Sequence, residues 1–122
     1  MSKLILVVED QEDNRQILRD LLGSADFEMA EAENGQEALD AVARQRPDLI
    51  LMDIQLPIMD GYEATRRIKG NPETRDIPII VVTSYALSGD EGKARAAGCD
   101  AYVTKPYSPR QLLAKIREYL PK

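Results

Sequence analysis

A chain of 122 residues, 43% of them hydrophobic, fits one compact domain with a substantial buried core and leaves no room for a second. Sixteen Lys and Arg against 21 Asp and Glu give a net charge of −5, so the chain lacks the basic footprint that nucleic-acid binding requires. It contains no histidine, which excludes His-based triads, His-ligated zinc and a phosphohistidine carried by the chain itself.

The lone Cys99 cannot close an internal disulfide, which points to a reducing, cytoplasmic compartment. Met1-Ser2-Lys3 leads into five apolar residues that stop at Glu9. That is too short for a signal-peptide core, and no later run approaches a membrane span, so no membrane insertion is expected.

Short apolar runs alternate with longer amphipathic ones. Leu4 to Val8 is apolar on both faces, as a central parallel strand is. Ile17, Leu18, Leu21 and Leu22 follow at helical spacing, and Gly23 reads as the helix stop. Glu28 to Ala32 is a more polar strand suited to a sheet edge. Asn34 with Glu37 opens a helix through Ala38, Leu39 and Val42 that Pro47 ends. Leu49 to Met52 is the third strand, and Asp60 with Glu63 opens a third helix through Ala64 and Ile68. Ile79 to Val82 is the fourth strand, followed by a weak helix from about Gly89 to Ala97. Ala101 to Val103 is the fifth strand, and Ser108 with Pro109 starts the last helix, carrying Leu112, Leu113, Ile116 and Leu120. Five such βα units imply a parallel sheet covered by helices on both faces. The chain ends just after the fifth helix, so no output domain is expected.

The informative residues sit where strands stop, because ligands of open α/β sheets bind beyond the carboxyl ends of the strands. The first strand ends in Glu9-Asp10, the third in Asp53 and the fourth in Thr83, while Lys105 follows the fifth. Singly, each has a bland explanation: a strand-end Asp caps a turn, Thr83 is a strand-end hydroxyl, Lys105 a solvated loop lysine, Glu9 a charged edge. Together they place three carboxylates, a hydroxyl and an ammonium on one rim. Three converging like charges would repel and raise one another's pKa without a cation. Carboxylates with a nearby carbonyl suit Mg²⁺, and a hydroxyl with a compact positive charge suits a phosphoryl group.

The ordered segments Val7-Val8-Glu9-Asp10 with Asn14, Asn34-Gly35-Gln36-Glu37-Ala38-Leu39, Pro47 to Pro57, Asp60-Gly61, Ile77-Pro78-Ile79, Thr83-Ser84, Ala97 to Tyr102, and Lys105-Pro106 resemble the receiver domains of bacterial two-component response regulators. The resemblance covers essentially the whole chain and is nearest to stand-alone receivers of the cell-division (DivK-like) type. Receivers fused to hybrid kinases read similarly.

The resemblance implies a flavodoxin-like (CheY-like), doubly wound five-stranded parallel sheet in the order 2-1-3-4-5, with residues 1–122 as one receiver. It implies Asp53 as phosphoacceptor; Asp10, Asp53 and the backbone carbonyl of Gln55 as Mg²⁺ ligands; and Glu9 acting through metal-bound water. Thr83 and Lys105 become phosphoryl contacts, Thr83 and Tyr102 the switch pair, and the Lys105-Pro106 peptide cis. Ser84 is small, as phosphate access requires, and Gln55 and Tyr85 would tune the phosphate's lifetime. The expected donor is a phosphohistidine on a sensor histidine kinase or histidine phosphotransfer protein. The expected output is a protein bound through the fourth helix, fifth strand and fifth helix.

Such a domain catalyses its own phosphorylation and acyl-phosphate hydrolysis without being an enzyme on a separate substrate. A haloacid-type Mg²⁺ phosphatase would carry a second Asp two residues after the nucleophile, where this chain has Gln55. A flavodoxin-like cofactor binder would need a Ser/Thr/Gly-rich loop after the first strand, and none is present. A receiver used as an unphosphorylated adaptor is the remaining alternative.

Overall fold

The computed structural model describes residues 2–83 and 90–120, with backbone alone for residues 90 and 91. In chain order the elements are β1 (Leu4–Val8), α1 (Glu12–Ser24), β2 (Glu28–Ala32), α2 (Gly35–Arg44), β3 (Leu49–Met52), α3 (Gly61–Gly70), β4 (Ile79–Thr83), α4 (Asp90–Ala96), β5 (Ala101–Thr104) and α5 (Pro109–Tyr119). The strands form one parallel sheet in the order β2-β1-β3-β4-β5, the expected topology. β1, β3 and β4 occupy its centre and are buried almost throughout, whereas the more polar β2 lies at an edge.

Alternate residues of the central strands feed two core layers. Leu6, Val8, Ile50, Met52 and Val81 pack with Ala38 and Val42 of α2, Ala64 and Ile68 of α3, and Ala94 of α4. On the opposite face Ile5, Val7, Leu49, Leu51 and Ile80 meet Leu18 and Leu22 of α1 and Leu112 and Ile116 of α5.

Helix starts follow local chemistry. Asn34 accepts the Glu37 N–H at 2.8 Å and Asp60 the Glu63 N–H at 2.9 Å. Ser108 and Gln111 complete a reciprocal capping box ahead of α5.

Three local expectations require correction. α1 runs past Gly23 to Ser24, and the left-handed residue that turns the chain toward β2 is Asp26, at φ 67°. Ile17 is 58% exposed, because the inward stripe of α1 is Arg15, Leu18 and Leu22 and leaves its neighbour outside. α2 ends at Arg44, three residues before Pro47.

Candidate functional site

The parallel register carries the ends of β1, β3 and β4 to one rim. Glu9 continues the β1–β2 ladder through its N–H to the Ala32 carbonyl at 2.9 Å, and the Asp53 N–H bonds to the Val8 carbonyl at 3.0 Å. Glu9, Asp10 and Asp53 therefore meet, with one carboxylate oxygen from each lying within 4.8 Å of the others. Lys105 arrives from beyond β5, where its N–H bonds to the Thr83 carbonyl at 2.7 Å. Its Nζ lies 2.9 Å from Glu9 Oε1 and 3.4 Å from Asp53 Oδ2. The Lys105-Pro106 peptide is cis, as expected.

Glu9 is 3% exposed, and its carboxylate also accepts the Gln11 N–H at 3.0 Å and Asn14 Nδ2 at 3.4 Å. Asp53 Oδ1 accepts the Ile54 N–H at 2.7 Å. Thr83 is fully buried at the end of β4. Gln55 is exposed in the turn after β3. Tyr102 is half-buried in β5 against the core layer that includes Ala94. Ser84, Tyr85 and Gly89 lie outside the described residues.

The carboxylates do not all raise one another's pKa. Burial pushes Asp53 up to about 6; Lys105 opposes the rise and Glu9 adds to it. Burial also pushes Glu9 upward, but the Lys105 and Gln11 hydrogen bonds outweigh it and hold Glu9 below its ordinary value. Lys105 loses by burial and gains more from Glu9 and Asp53, so its ammonium is held above the usual value. Of Glu9 and Asp53, burial prevails only at Asp53.

The donor set fits a hard divalent cation. Three carboxylates face one ammonium, and that ammonium is nearest the most buried of the three, so negative charge remains in excess around Asp10 and Asp53. A cavity of about 10 Å³ lined by Val8, Leu18, Asp53 and Lys105, among others, borders the cluster. A cavity of about 550 Å³ between the C-terminal halves of α2 and α3 is lined by Leu39, Val42, Arg46, Arg67 and Ile68 and shares no residue with this cluster.

Several contributors were not read from the sequence. Gly61, the first residue of α3, donates its N–H to the Ile54 carbonyl at 2.9 Å, and a Cβ there would run into the Asp53 carbonyl oxygen. Ile58 holds φ 70° although it is β-branched and 84% exposed, while Met59 N–H reaches the Pro57 carbonyl at 2.7 Å across it. This strained three-residue turn sits in the loop between the phosphoacceptor candidate and α3. Arg15 is buried beside Glu9. Its signal was the 15-18-22 spacing, which puts an arginine on the inward stripe of α1.

Comparison with known proteins agrees with this arrangement. The response regulator receiver domain family matches residues 5–117. The chain is 46% identical to the polar-differentiation response regulator DivK of Brucella anthropi over 120 residues, covering 98% of both chains. It superposes with a TM-score of 0.92, at 34% identity and full coverage of both chains, on the receiver domain of the Pseudomonas aeruginosa sensor histidine kinase PA1611, solved with a magnesium ion in its active-site cleft. The phosphorylated cyanobacterial phytochrome response regulator RcpA gives a TM-score of 0.87 at 28% identity, with 99% of this chain and 96% of that chain covered. With the family matched across nearly the whole sheet and its strand-end carboxylates converging on one rim, this chain belongs to the response regulator receiver domains of two-component signalling.

Proposed function

We propose that this receiver accepts a phosphoryl group on Asp53, with Mg²⁺ bound beside it, and transmits the event through a change of shape. One observation carries the reading: the Asp53 carboxylate meets those of Glu9 and Asp10 within 4.8 Å, with the Lys105 ammonium 3.4 Å from Asp53. Asp10, Asp53 and the Gln55 carbonyl would hold the ion, with Glu9 acting through a metal-bound water. When bound, Mg²⁺ supplies neutralising charge for the carboxylates and the incoming phosphoryl oxygens.

The chain's own residues do the rest. An Asp53 oxygen attacks phosphorus in line; the new P–O bond forms as the P–N bond to the donor imidazole breaks, and the ring, already protonated on its other nitrogen, leaves as neutral imidazole. Ile54 N–H holds the other carboxylate face at 2.7 Å, limiting rotation of the nucleophile. Lys105 is positioned to bind a phosphoryl oxygen once its pairing with Asp53 is broken, and Thr83 offers a hydroxyl from the neighbouring strand end. The reaction needs positioning and charge more than covalent help, so the domain supports its own phosphorylation and acyl-phosphate hydrolysis.

The donor is a sensor histidine kinase or a histidine phosphotransfer protein, and the output partner binds the face of α4, β5 and α5. Half-buried Tyr102 against the Ala94 layer supports that route, as does α4, a seven-residue helix with Gly92 inside it. Incubation with a small acyl-phosphate donor and Mg²⁺ should label Asp53 and leave Asp53→Asn unlabelled. Phosphate recovered on another residue, or on the Asn variant, overturns the assignment.

A further inference from the structure

We propose that Arg15 is a positioning residue for the Mg²⁺ site, acting through the Glu9–Asp10 peptide. The inference rests on the metal-binding reading above and assigns a task to a residue outside the acidic cluster.

Arg15 is 7% exposed although it carries a guanidinium, and each of its three nitrogens has a partner. Nη1 donates to the backbone carbonyl of Glu9 at 2.8 Å, Nε to Glu31 Oε1 at 3.0 Å and Nη2 to Glu12 Oε2 at 2.8 Å. The two carboxylates fix the planar fork: Glu31 projects from β2 and Glu12 from the first turn of α1. The third arm is thereby aimed at the carbonyl of the peptide that joins Glu9 to Asp10.

That peptide is consequential because both flanking side chains belong to the acidic cluster. The Glu9 N–H is already tied to the Ala32 carbonyl at 2.9 Å. With its carbonyl held by Arg15, the residue is fixed at both polar backbone groups, and the plane leading into Asp10 has one orientation. Freed of Arg15, the carbonyl could rotate toward water and carry the Asp10 Cα with it. Hydrogen-bond partners behind metal ligands are worth about 10–100-fold in metal affinity.

Arg19 provides an internal comparison. It binds the same two carboxylates, Glu31 at 2.7 Å and Glu12 at 3.2 Å, and among the described residues it makes no bond to the Glu9 carbonyl. If the network served only to fasten α1 to β2, either arginine would matter alike.

The experiment is Mg²⁺ titration by calorimetry of the metal-stripped wild type, Arg15→Met and Arg19→Met, with acyl-phosphate labelling rates measured across Mg²⁺ concentration. Arg15→Met should bind Mg²⁺ about tenfold more weakly and need about tenfold more for half-maximal labelling, with a near-normal rate at saturation. Arg19→Met should match wild type in both. If Arg15→Met does not fold, Arg15→Lys keeps the charge but not the three-armed fork and should show the same direction of loss. Wild-type affinity in the Arg15 variants, or equal losses in the Arg19 variant, overturns the proposal. A wild type that binds no Mg²⁺ at all would instead overturn the functional reading beneath it.

Discussion

Lys105 donates to Glu9 at 2.9 Å across 96 residues of sequence, closer than its 3.4 Å approach to Asp53. The ammonium therefore serves the most buried carboxylate first and shields Asp53 second. This ordering explains why Glu9 is held below its ordinary pKa while Asp53 rises, with burial as the leading influence on both.

Lys105→Met tests that division. Removing one partner of a buried ion pair costs about 3–5 kcal/mol; with the Lys105 side chain 22% exposed, we expect a loss on the order of 2 kcal/mol in chelator at pH 7. Mg²⁺ should restore more stability to the variant than it adds to wild type, because the carboxylates then face the ion without a competing cation. Urea melts with and without Mg²⁺ decide it, and a variant as stable as wild type in chelator refutes the pairing.

The Asp53 shift sets a pH dependence. Its folded pKa of about 6 lies above the ordinary 3.8, so the folded state binds the extra proton, and this stabilisation is complete below 3.8 and lost as pH rises through 6. Glu9, held below 4.5, acts oppositely, but its contribution is lost only at pH values beneath that. Metal-free wild type should therefore lose on the order of 1–2 kcal/mol between pH 5 and 7, discounted for solvent screening. Asp53→Asn should flatten the profile and exceed wild type at pH 7 by a similar amount. An Asn variant with the wild-type slope removes Asp53 as the source.

Much of this was legible from residue order because parallel βα units leave little freedom: an apolar run followed by an acid must deliver that acid to the rim. Glu9, Asp10, Asp53 and Lys105 came together for that reason. What escaped reading depends on close approach between distant segments. Gly61 matters for the backbone it touches, Ile58 for a dihedral that its residue type disfavours, and Arg15 for a carbonyl six residues back. Other motif residues proved to be joints of the fold. Asn34 caps α2, Gly35 fits against Met59, Asp48 accepts the Leu4 N–H at 2.7 Å, and Asp100 takes both the Ile79 N–H and Lys69 Nζ. The end of α1 was misplaced because Gly23 invited a stop that Asp26 supplies.

Thr65 in α3 is fully buried, and its Oγ1 has no hydrogen-bond partner among the described residues. A buried hydroxyl left unpaired costs about 1–3 kcal/mol, and valine keeps the branched shape at similar helix propensity. Thr65→Val should raise stability by about 1 kcal/mol in denaturant melts and leave Mg²⁺ affinity unchanged. Destabilisation would mean that the hydroxyl has a partner in solution.

Gly61→Ala and Gly23→Ala should move stability in opposite directions although both put a methyl into a helix. At Gly23 the space is open, with nothing within 4 Å of where the methyl would sit, so alanine should gain about 0.5–1 kcal/mol from a stiffer unfolded chain and better helix propensity. At Gly61 the methyl would meet the Asp53 carbonyl oxygen and approach Ile54 Cα to 2.9 Å. The obstacle is backbone and cannot swing aside, so either the start of α3 or the end of β3 must yield. Overpacking of this kind costs about 1–3 kcal/mol, which exceeds the propensity gain. The strand end that shifts carries Asp53, so labelling from an acyl-phosphate donor should also slow, by about tenfold or more, even at saturating Mg²⁺. That kinetic signature differs from Arg15→Met, whose deficit disappears at high Mg²⁺. A Gly61→Ala protein that is stable and labels at the wild-type rate would show that α3 can withdraw without disturbing Asp53.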